Sequence, residues 1–274
     1  MTQAPSELMH LAGDRGLVES PRWHDGRWWF ADWTVGEIMS LGNDDGVPKT
    51  VVSAPAPPLS FDFLPDGSLL FVSSRAGKLV RQTSDGALAT YADLASFSKG
   101  LWNEIVVDGR GNTYVNGECL VVVTPDGKAR PLAGGFAFPN GMAVTPDNRT
   151  LILAESHGRR LTAFDIAADG VLSGRRVWAD LGEGTPDGIC VDAQGCVWYA
   201  DVPHKCCARV REGGAVQQRI ELDRGAFACM LGGPDRKTLL IAAARWFGMD
   251  CMDDMAGTGQ LLAATVDIPG VGWP

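Results

Sequence analysis

One phrase recurs six times along this chain and restricts the folds that the chain can adopt. Each copy is a short apolar stretch, a turn that carries Asp or Gly, and a second apolar stretch, which is typical of a β-hairpin. The copies repeat every 37 to 47 residues, measured between the last apolar residues before the turns: Trp23, Phe63, Val107, Val144, Val191 and Leu231. This period is typical of a four-stranded propeller blade.

A further apolar stretch follows each hairpin, such as GEIMSL from Gly36 and GQLLAATV from Gly259, and fits the third strand of a blade. Six repeats within 274 residues predict an all-β fold, a six-bladed β-propeller with four-stranded antiparallel blades. We expect residues 1–274 to form one propeller domain. The stretch before Glu19 is predicted to supply the outer strand of the last blade and to close the ring. A β-sandwich with chance similarity does not account for six copies at a near-constant period.

The charge balance argues against polyanionic partners. The chain has 24 basic and 33 acidic residues, a formal net charge of −9, so we expect no nucleic-acid partner. No apolar run reaches the roughly 18 residues of a membrane span, and the N-terminus lacks the pattern of a signal peptide. The seven cysteines are odd in number and include no C-x-x-C pair, which favours reduced, buried thiols in a cytoplasmic protein.

Four polar residues occupy equivalent places in the repeats. The positions four residues before the six apolar anchors hold Glu19, Leu59, Asn103, Asn140, Asp187 and Phe227. The first strand of each blade lines the central channel of a propeller, so equivalent positions converge around the axis. Two carboxylates and two amides would repel one another or lack partners there. One divalent cation resolves the conflict: Ca²⁺ first, Mg²⁺ or Mn²⁺ next, and Zn²⁺ or Fe²⁺ as further candidates.

The phrases TPDGICV from Thr185 and FPNGMAV from Phe138 also have a plainer interpretation. Asn or Asp before Gly is common in turns, and each copy alone would be read as a turn. The constant offset of four residues in four blades favours a shared site instead. We expect a turn through Gly188 that lets the Asp187 carboxylate face the channel.

The same residues carry a family resemblance. Its strongest stretches include NEIVVDGRGNTYV from Asn103, PNGMAVTPDNRTLILAES from Pro139 and PDGICVDAQGCVWYAD from Pro186. Over essentially its whole length the chain resembles the SMP-30/gluconolactonase/LRE family of six-bladed propellers. The resemblance implies a divalent-metal-dependent hydrolase, usually a lactonase that acts on sugar lactones. It also implies three metal ligands and an Asn that contacts the metal or the substrate: Glu19, Asn140 and Asp187, with Asn103 beside them.

One departure from the family pattern bears on the substrate. Members that act on sugar lactones often carry an Arg two residues before the third-blade Asn, where it holds substrate hydroxyls. Here that position is Leu101, and an apolar side chain cannot donate hydrogen bonds. We expect either a substrate less polar than gluconolactone or another donor, such as Arg22 or Arg75.

The expected reaction is attack of water on a polarised lactone carbonyl. Asp187 is the predicted general base; a hydroxide ligand of the metal is the alternative, because ligation would lower the pKa of Asp187.

Several further side chains are candidates for the pocket. Trp102, Glu118 and His157 are predicted to contact the substrate, together with Asn103. Trp246 and Asp201 are further candidates at the mouth, on their positions beside predicted blade strands.

The predicted function is a metal-dependent lactonase or related ester hydrolase, with a small-molecule lactone as partner. Two alternatives stay open. The same metal site could serve another reaction, such as organophosphate hydrolysis or non-hydrolytic chemistry, or the propeller could be a non-catalytic binding protein. We expect a monomer or a small homo-oligomer without a membrane partner.

Overall fold

Each of the six predicted repeats forms one four-stranded antiparallel sheet, and the six sheets form a six-bladed β-propeller. The structure is a computed structural model that describes residues 7–42, 46–54 and 58–272. In each blade the innermost strand comes first in the chain and the outermost strand last, except in blade 6, whose outermost strand is the first of the chain.

Blades 1 to 3 come from the first half of the chain, and their strands are named from the channel outwards. Blade 1 contains β2 (Val18–His24), β3 (Arg27–Asp32), β4 (Glu37–Leu41) and β5 (Lys49–Ser53), and blade 2 contains β6 (Phe61–Phe63), β7 (Leu69–Ser73), β8 (Lys78–Gln82) and β9 (Leu88–Asp93). Blade 3 contains β10 (Ile105–Val107), β11 (Thr113–Asn116), β12 (Cys119–Val123) and β13 (Ala129–Gly134).

The remaining strands belong to blades 4 to 6. Blade 4 contains β14 (Pro139–Val144), β15 (Thr150–Glu155), β16 (Arg160–Ile166) and β17 (Leu172–Asp180), and blade 5 contains β18 (Pro186–Val191), β19 (Val197–Asp201), β20 (Cys206–Val210) and β21 (Val216–Glu221). Blade 6 contains β22 (Gly225–Gly232), β23 (Thr238–Ala244), β24 (Gly259–Thr265) and β1 (Leu8–Arg15). A short 3-10 helix (Met249–Met255) lies between β23 and β24.

The N-terminal strand closes the ring, as predicted. Strand β1 pairs antiparallel with β24, with Leu8 opposite Ala264 and Arg15 opposite Gly259. The first and last strands of the chain therefore share one sheet, which joins the two ends of the propeller and covers the edge of β24.

The hydrophobic core lies between neighbouring blades. One cluster joins blades 5 and 6 and contains Trp198, Leu231 and Leu239, all nearly inaccessible to solvent. Full burial of each such side chain stabilises the fold by about 1.5–3 kcal/mol. All seven cysteines are free and none is exposed, which confirms the prediction of unbridged thiols.

Four of the six innermost strands contain a β-bulge near their first residues: β2, β14, β18 and β22. Between Pro186 and Ile189 strand β18 advances three residues while β19 advances two, from Asp201 to Tyr199. The same extra residue occurs in β14 after Pro139. The predicted turn through Gly188 is therefore wrong: the segment is a strand with a bulge, and a bulge re-aims the side chains that it contains.

The glycines in these bulges are required by close packing. A Cβ atom on Gly188 would lie 2.5 Å from the Cβ of Ala228 in blade 6, and one on Gly141 would lie 2.5 Å from the carbonyl oxygen of Asp187. Neither glycine has a positive φ. The innermost strands of blades 4, 5 and 6 thus approach one another so closely that only glycine fits between them.

No helix within the described ranges is long and apolar enough to span a bilayer.

Candidate functional site

The four predicted polar residues lie at the same end of the central channel. Glu19, Asn140 and Asp187 are each the second residue of an innermost strand, in β2, β14 and β18 respectively. Asn103 precedes β10 by two residues, and its N–H donates to the carbonyl of Asn116, at the end of the neighbouring strand, at 2.8 Å. Asn140 and Asp187 each lie in a β-bulge, which gives their side chains an orientation that a regular strand would not give.

The amides join blades 3, 4 and 5 by hydrogen bonds. Asn103 Nδ2 donates to Asn140 Oδ1 and to the carbonyl of Pro139, both at 3.3 Å. Asn140 Nδ2 donates to Ser156 Oγ at 3.3 Å, and the Ser156 hydroxyl donates to the carbonyl of Pro186 at 2.7 Å. The side chain of Asn140 also interacts with that of Asp187 in blade 5 and opposes the rise of its pKa.

The surroundings of Glu19 and Asp187 disfavour the charged forms of both side chains. Burial, and next the charge of Glu104, raise the pKa of Glu19 to about 8, against the opposing effects of the Ser20 N–H and Arg22. Burial and the charges of Glu19 and Glu104 raise the pKa of Asp187 well above its ordinary value. Among the described residues no basic side chain forms an ion pair with Glu19 or Asp187. The site therefore brings together two acidic groups whose charged forms their surroundings disfavour.

An ionic cluster adjoins this site and links blades 1, 2 and 3. Arg22 Nε donates to Asp62 Oδ1 at 3.2 Å, and Arg22 Nη2 lies 3.5 Å from Glu104 Oε1. Arg22 also donates to the carbonyl of Ile105 at 3.1 Å. Burial raises the pKa of Glu104 to about 7, although Arg22 and the N–H of Ile105 oppose the shift. One guanidinium thus faces two buried carboxylates, with Glu19 close enough to repel Glu104.

Backbone strain adjoins two of the site residues. Ser20, directly after Glu19, has φ of 50°, and Phe138, two residues before Asn140, has φ of 61°. Left-handed backbone is uncommon for residues other than glycine, and least favourable for bulky side chains. Such outliers cluster at functional sites, where the surrounding structure holds them in place.

The donor set fits a hard divalent cation. Two carboxylates and the oxygen atoms of two amides are the ligands that Ca²⁺, Mg²⁺ and Mn²⁺ prefer. Burial and, next, the charges of neighbouring carboxylates raise the pKa values of Glu19 and Asp187, and a cation here would stabilise their charged forms. Within the described part of the chain, no three side chains of His, Cys, Asp or Glu gather into a metal-binding group, so amide oxygens are needed to complete the predicted set.

Two of the predicted substrate contacts lie in exposed loops at the same end of the propeller. Glu118, between β11 and β12, is exposed and accepts a hydrogen bond from Ser98 Oγ at 2.7 Å. His157, after β15, is exposed and stacks on Phe138 with a ring separation of 4.5 Å. Their roles in substrate binding stay predictions.

Trp102 does not fit its predicted role. Its side chain has no exposed surface and packs between blades 2 and 3 with Leu94 and Ile105. The hydrophobic effect favours this position, because apolar side chains of blades 2 and 3 surround the ring. A substrate in the channel cannot contact it.

The structure contradicts two more expectations from the sequence, which concern Arg22 and Asp201. Arg22, considered as a donor to substrate hydroxyls, is buried and already engaged with Asp62 and Glu104. Asp201 is also buried; it accepts hydrogen bonds from the N–H groups of Thr185 and His204 at 2.9 and 3.1 Å. Asp201 therefore fixes the segment that leads into β18 and does not line the mouth.

Three contributors were not found from the sequence: Glu104, Asn116 and Ser156. Asn116 Nδ2 donates to the carbonyl of Asn140 at 2.6 Å, and its Oδ1 accepts from the N–H of Glu104 at 3.3 Å. Asn116 and Ser156 both lie where the second strand of a blade ends. Polar residues at that repeated place are the signal that could have identified them.

Comparison with known proteins places the chain among lactonase-like propellers. A family model described as the SMP-30/gluconolactonase/LRE-like region matches residues 17–245. A pentonolactonase of Haloferax volcanii is 26% identical over 259 residues, which cover 89% of this chain and 86% of that protein. A 6-deoxy-6-sulfogluconolactonase of Pseudomonas putida is 27% identical over 164 residues, 58% of this chain and 56% of that protein.

Solved structures share the whole fold. A calcium-binding protein from Agrobacterium tumefaciens, regucalcin, superimposes with a TM-score of 0.82 at 22% identity, over 98% of this chain and 97% of that one. At this identity the similarity concerns the fold.

Proposed function

The chain belongs to the SMP-30/gluconolactonase/LRE-like family, and from this premise we propose that it is a hydrolase that opens a lactone with the help of one divalent cation. The observation that carries the proposal is the convergence of Glu19, Asn103, Asn140 and Asp187 at one end of the channel. Among the described residues, no basic side chain forms an ion pair with either carboxylate. Relatives named as lactonases support the hydrolase assignment.

The cation would be held by Glu19, Asn140 and Asp187, with Asn103 as a further ligand or a contact to the substrate. A bound divalent cation supplies Lewis-acid polarisation of a carbonyl group. Ca²⁺ suits this all-oxygen set best, because it accepts carboxylate and amide oxygens in a flexible geometry.

The chain's own residues orient the reactants and move a proton. Asn103 would contact the cation or an oxygen of the lactone through its amide; to donate to the lactone, its Nδ2 would have to give up one of its present hydrogen bonds, to the carbonyl of Pro139 or to Asn140 Oδ1. A carboxylate oxygen of Asp187 accepts a proton from the attacking water, as the general base of the reaction.

The chemical balance is that of ester hydrolysis. The water oxygen bonds to the acyl carbon, and the bond between the acyl carbon and the ring oxygen breaks. Asp187 returns the proton to the ring oxygen, so that a hydroxy acid leaves the site and the carboxylate is ready for another turnover.

A panel of lactones tests the proposal. Protein stripped with a chelator is assayed with a pH indicator on several lactones, before and after addition of Ca²⁺, Mg²⁺, Mn²⁺ or Zn²⁺. We expect turnover of at least one lactone, lost on chelation and restored by one of these ions. Hydrolysis that persists without divalent ions would contradict the role of the cation, and no turnover on any lactone would contradict the activity.

Strand β2 offers a matched pair of variants for this assay. Glu19→Gln changes the carboxylate at the channel end of the strand, and Asp25→Asn changes an exposed carboxylate in the turn at its other end. Asn tolerates the positive φ of 49° at that turn position. Glu19→Gln should lose activity and Asp25→Asn should keep it.

A further inference from the structure

The mouth of the channel divides into a polar side and an apolar side. Blades 3, 4 and 5 present Asn103, Asn140 and Asp187. The equivalent positions of blades 2 and 6 hold Leu59 and Phe227, which are buried apolar residues. Two tryptophans from loops at the same end, Trp33 and Trp246, join these residues into what we call the apolar arc: Leu59, Trp33, Phe227 and Trp246.

Trp33 makes the arc continuous across blade 1. Its N–H donates to the carbonyl of Leu17, directly before β2, at 2.8 Å. Its Nε1 donates to the carbonyl of Leu59 in blade 2 at 2.9 Å. On its other side Trp33 packs with the cluster that contains Phe227 of blade 6. The indole therefore spans the region beside Glu19 and joins the apolar residues of the two neighbouring blades.

The arc comes close to the predicted base. Phe227 occupies the bulge of β22, the place that Asp187 holds in β18. A Cβ on Gly188, directly after Asp187, would lie 3.1 Å from the carbonyl oxygen of Phe227. The Phe227 ring lies 5.6 Å from that of Trp246, edge to face. A group seated on these rings is thus adjacent to the blade that carries Asp187.

The outer part of the arc faces solvent. Trp246 is 39% exposed, and Phe247 beside it is 52% exposed, in the connection between β23 and β24. On the opposite side of the mouth, Leu101 is 49% exposed. Grouped exposed aromatic side chains at a cleft mark a binding surface for an apolar ligand. None of these side chains can donate a hydrogen bond to a sugar hydroxyl except through an indole N–H, and that of Trp33 is already used.

We infer that the substrate of the proposed lactonase carries an alkyl or aryl substituent, which packs on the apolar arc while the lactone carbonyl faces the polar side. The inference rests on the proposed function and narrows its substrate class. The exposed part of the arc disfavours a fully hydroxylated ring because hydroxyl groups placed against Trp246 and the neighbouring Phe247 would lose their hydrogen bonds to water without replacement.

Three δ-lactones that differ in their substituents test this inference: δ-decalactone with a pentyl chain, unsubstituted δ-valerolactone, and glucono-δ-lactone. For each, kcat/KM is divided by the rate constant of hydroxide-catalysed hydrolysis, which removes differences in intrinsic reactivity. We expect the value for δ-decalactone to exceed that for δ-valerolactone by about 10-fold or more, and glucono-δ-lactone to rank last.

Trp246→Ala should lower the value for δ-decalactone about 5-fold or more and leave δ-valerolactone within about 2-fold, since only the substituent loses its contact. Trp246→Phe should restore most of the preference. Val177→Ala, which truncates a 58% exposed apolar side chain on an outermost strand, is the control and should change neither value.

The outcomes separate the two claims. Turnover that favours glucono-δ-lactone, or a Trp246→Ala variant that lowers all three values equally, would overturn the inference and leave the lactonase proposal standing. Failure to hydrolyse any of the three, or any other lactone, would overturn the proposed function and this inference with it.

Discussion

Two buried carboxylates near the same end of the propeller have opposite surroundings. Glu155, at the end of β15, has a side chain with no exposed surface and accepts hydrogen bonds from Arg160 at 3.1 and 2.9 Å and from the N–H of Ala137 at 2.9 Å. Burial alone would raise its pKa, but these bonds and that of Thr162 outweigh burial and lower it to about 2. Glu19, almost as buried, accepts one bond from the N–H of Ser20 and has a pKa of about 8.

The difference distinguishes Glu155, a structural carboxylate, from Glu19, which we propose to be functional. Glu155 shows that this fold can satisfy a buried acid with arginine and backbone donors. Glu19 has a single backbone donor, and among the described residues neither Glu19 nor Asp187 forms an ion pair with a basic side chain, while the charge of Glu19 raises the pKa of Asp187. Such an arrangement lowers stability and is retained where binding or catalysis needs it.

The largest predicted effect is on activity. Asp187→Asn removes a carboxylate from the site and should lower kcat/KM about 1000-fold or more, because both cation binding and proton transfer depend on it. Glu155→Gln should keep kcat/KM within about 10-fold at a temperature where the variant is folded. Equal losses of kcat/KM in the two variants would contradict the distinction between a functional and a structural carboxylate.

The next effect is on stability. Glu155→Gln should lower the free energy of unfolding by about 3 kcal/mol, since it leaves Arg160 and the N–H of Ala137 without their charged acceptor. Urea denaturation monitored by tryptophan fluorescence measures this.

The pH dependence has a defined sign. The pKa of Glu155 is lowered from 4.5 to about 2, so its contribution to stability is present above pH 4.5 and is lost as the pH falls towards 2. The difference between the parent protein and Glu155→Gln should shrink over that range. A difference independent of pH would assign the effect to packing.

A smaller effect of opposite sign is expected at the site. The folded pKa of Glu19 is raised from 4.5 to about 8, so the cation-free protein loses stability as the pH rises between these values. Glu19→Gln should therefore stabilise the chelator-treated protein at pH 8 by about 1.4 kcal/mol or more, one pKa unit being worth that amount. The stability gained by Glu19→Gln should vanish near pH 4.5. If the variant is less stable than the parent protein at pH 8, the proposed destabilisation by the charged Glu19 is wrong.

The architecture could be predicted from the sequence because each repeat has its own pattern of apolar strands and turn residues. The anchors Phe63, Val107, Val144 and Val191 are the last residues of innermost strands, and Trp23 and Leu231 precede the last residue by one. Apolar periodicity and turn chemistry act locally, so they can be recognised in one chain. That residues 1–274 form a single domain, that the protein is cytoplasmic, and that it is a monomer or small homo-oligomer stay predictions.

The details of the site depended on contacts between blades. The bulge at Asp187 is defined by the register of β18 against β19, and the phrase TPDGICV alone is equally compatible with a turn. The cluster of Arg22, Asp62 and Glu104 joins residues of three blades. Trp102 was predicted to contact the substrate, whereas its ring packs in the core between blades 2 and 3.

Calorimetric titration of a divalent ion into chelator-treated protein tests the central claim most directly. We predict that the parent protein and Asp25→Asn bind about one Ca²⁺ per chain and release protons at pH 7, because the raised pKa values of Glu19 and Asp187 leave protons to be displaced. Asp187→Asn should bind more than about 100-fold more weakly. Absence of binding of Ca²⁺, Mg²⁺ and Mn²⁺ to the parent protein, or undiminished binding to Asp187→Asn, would contradict a cation site built from these residues.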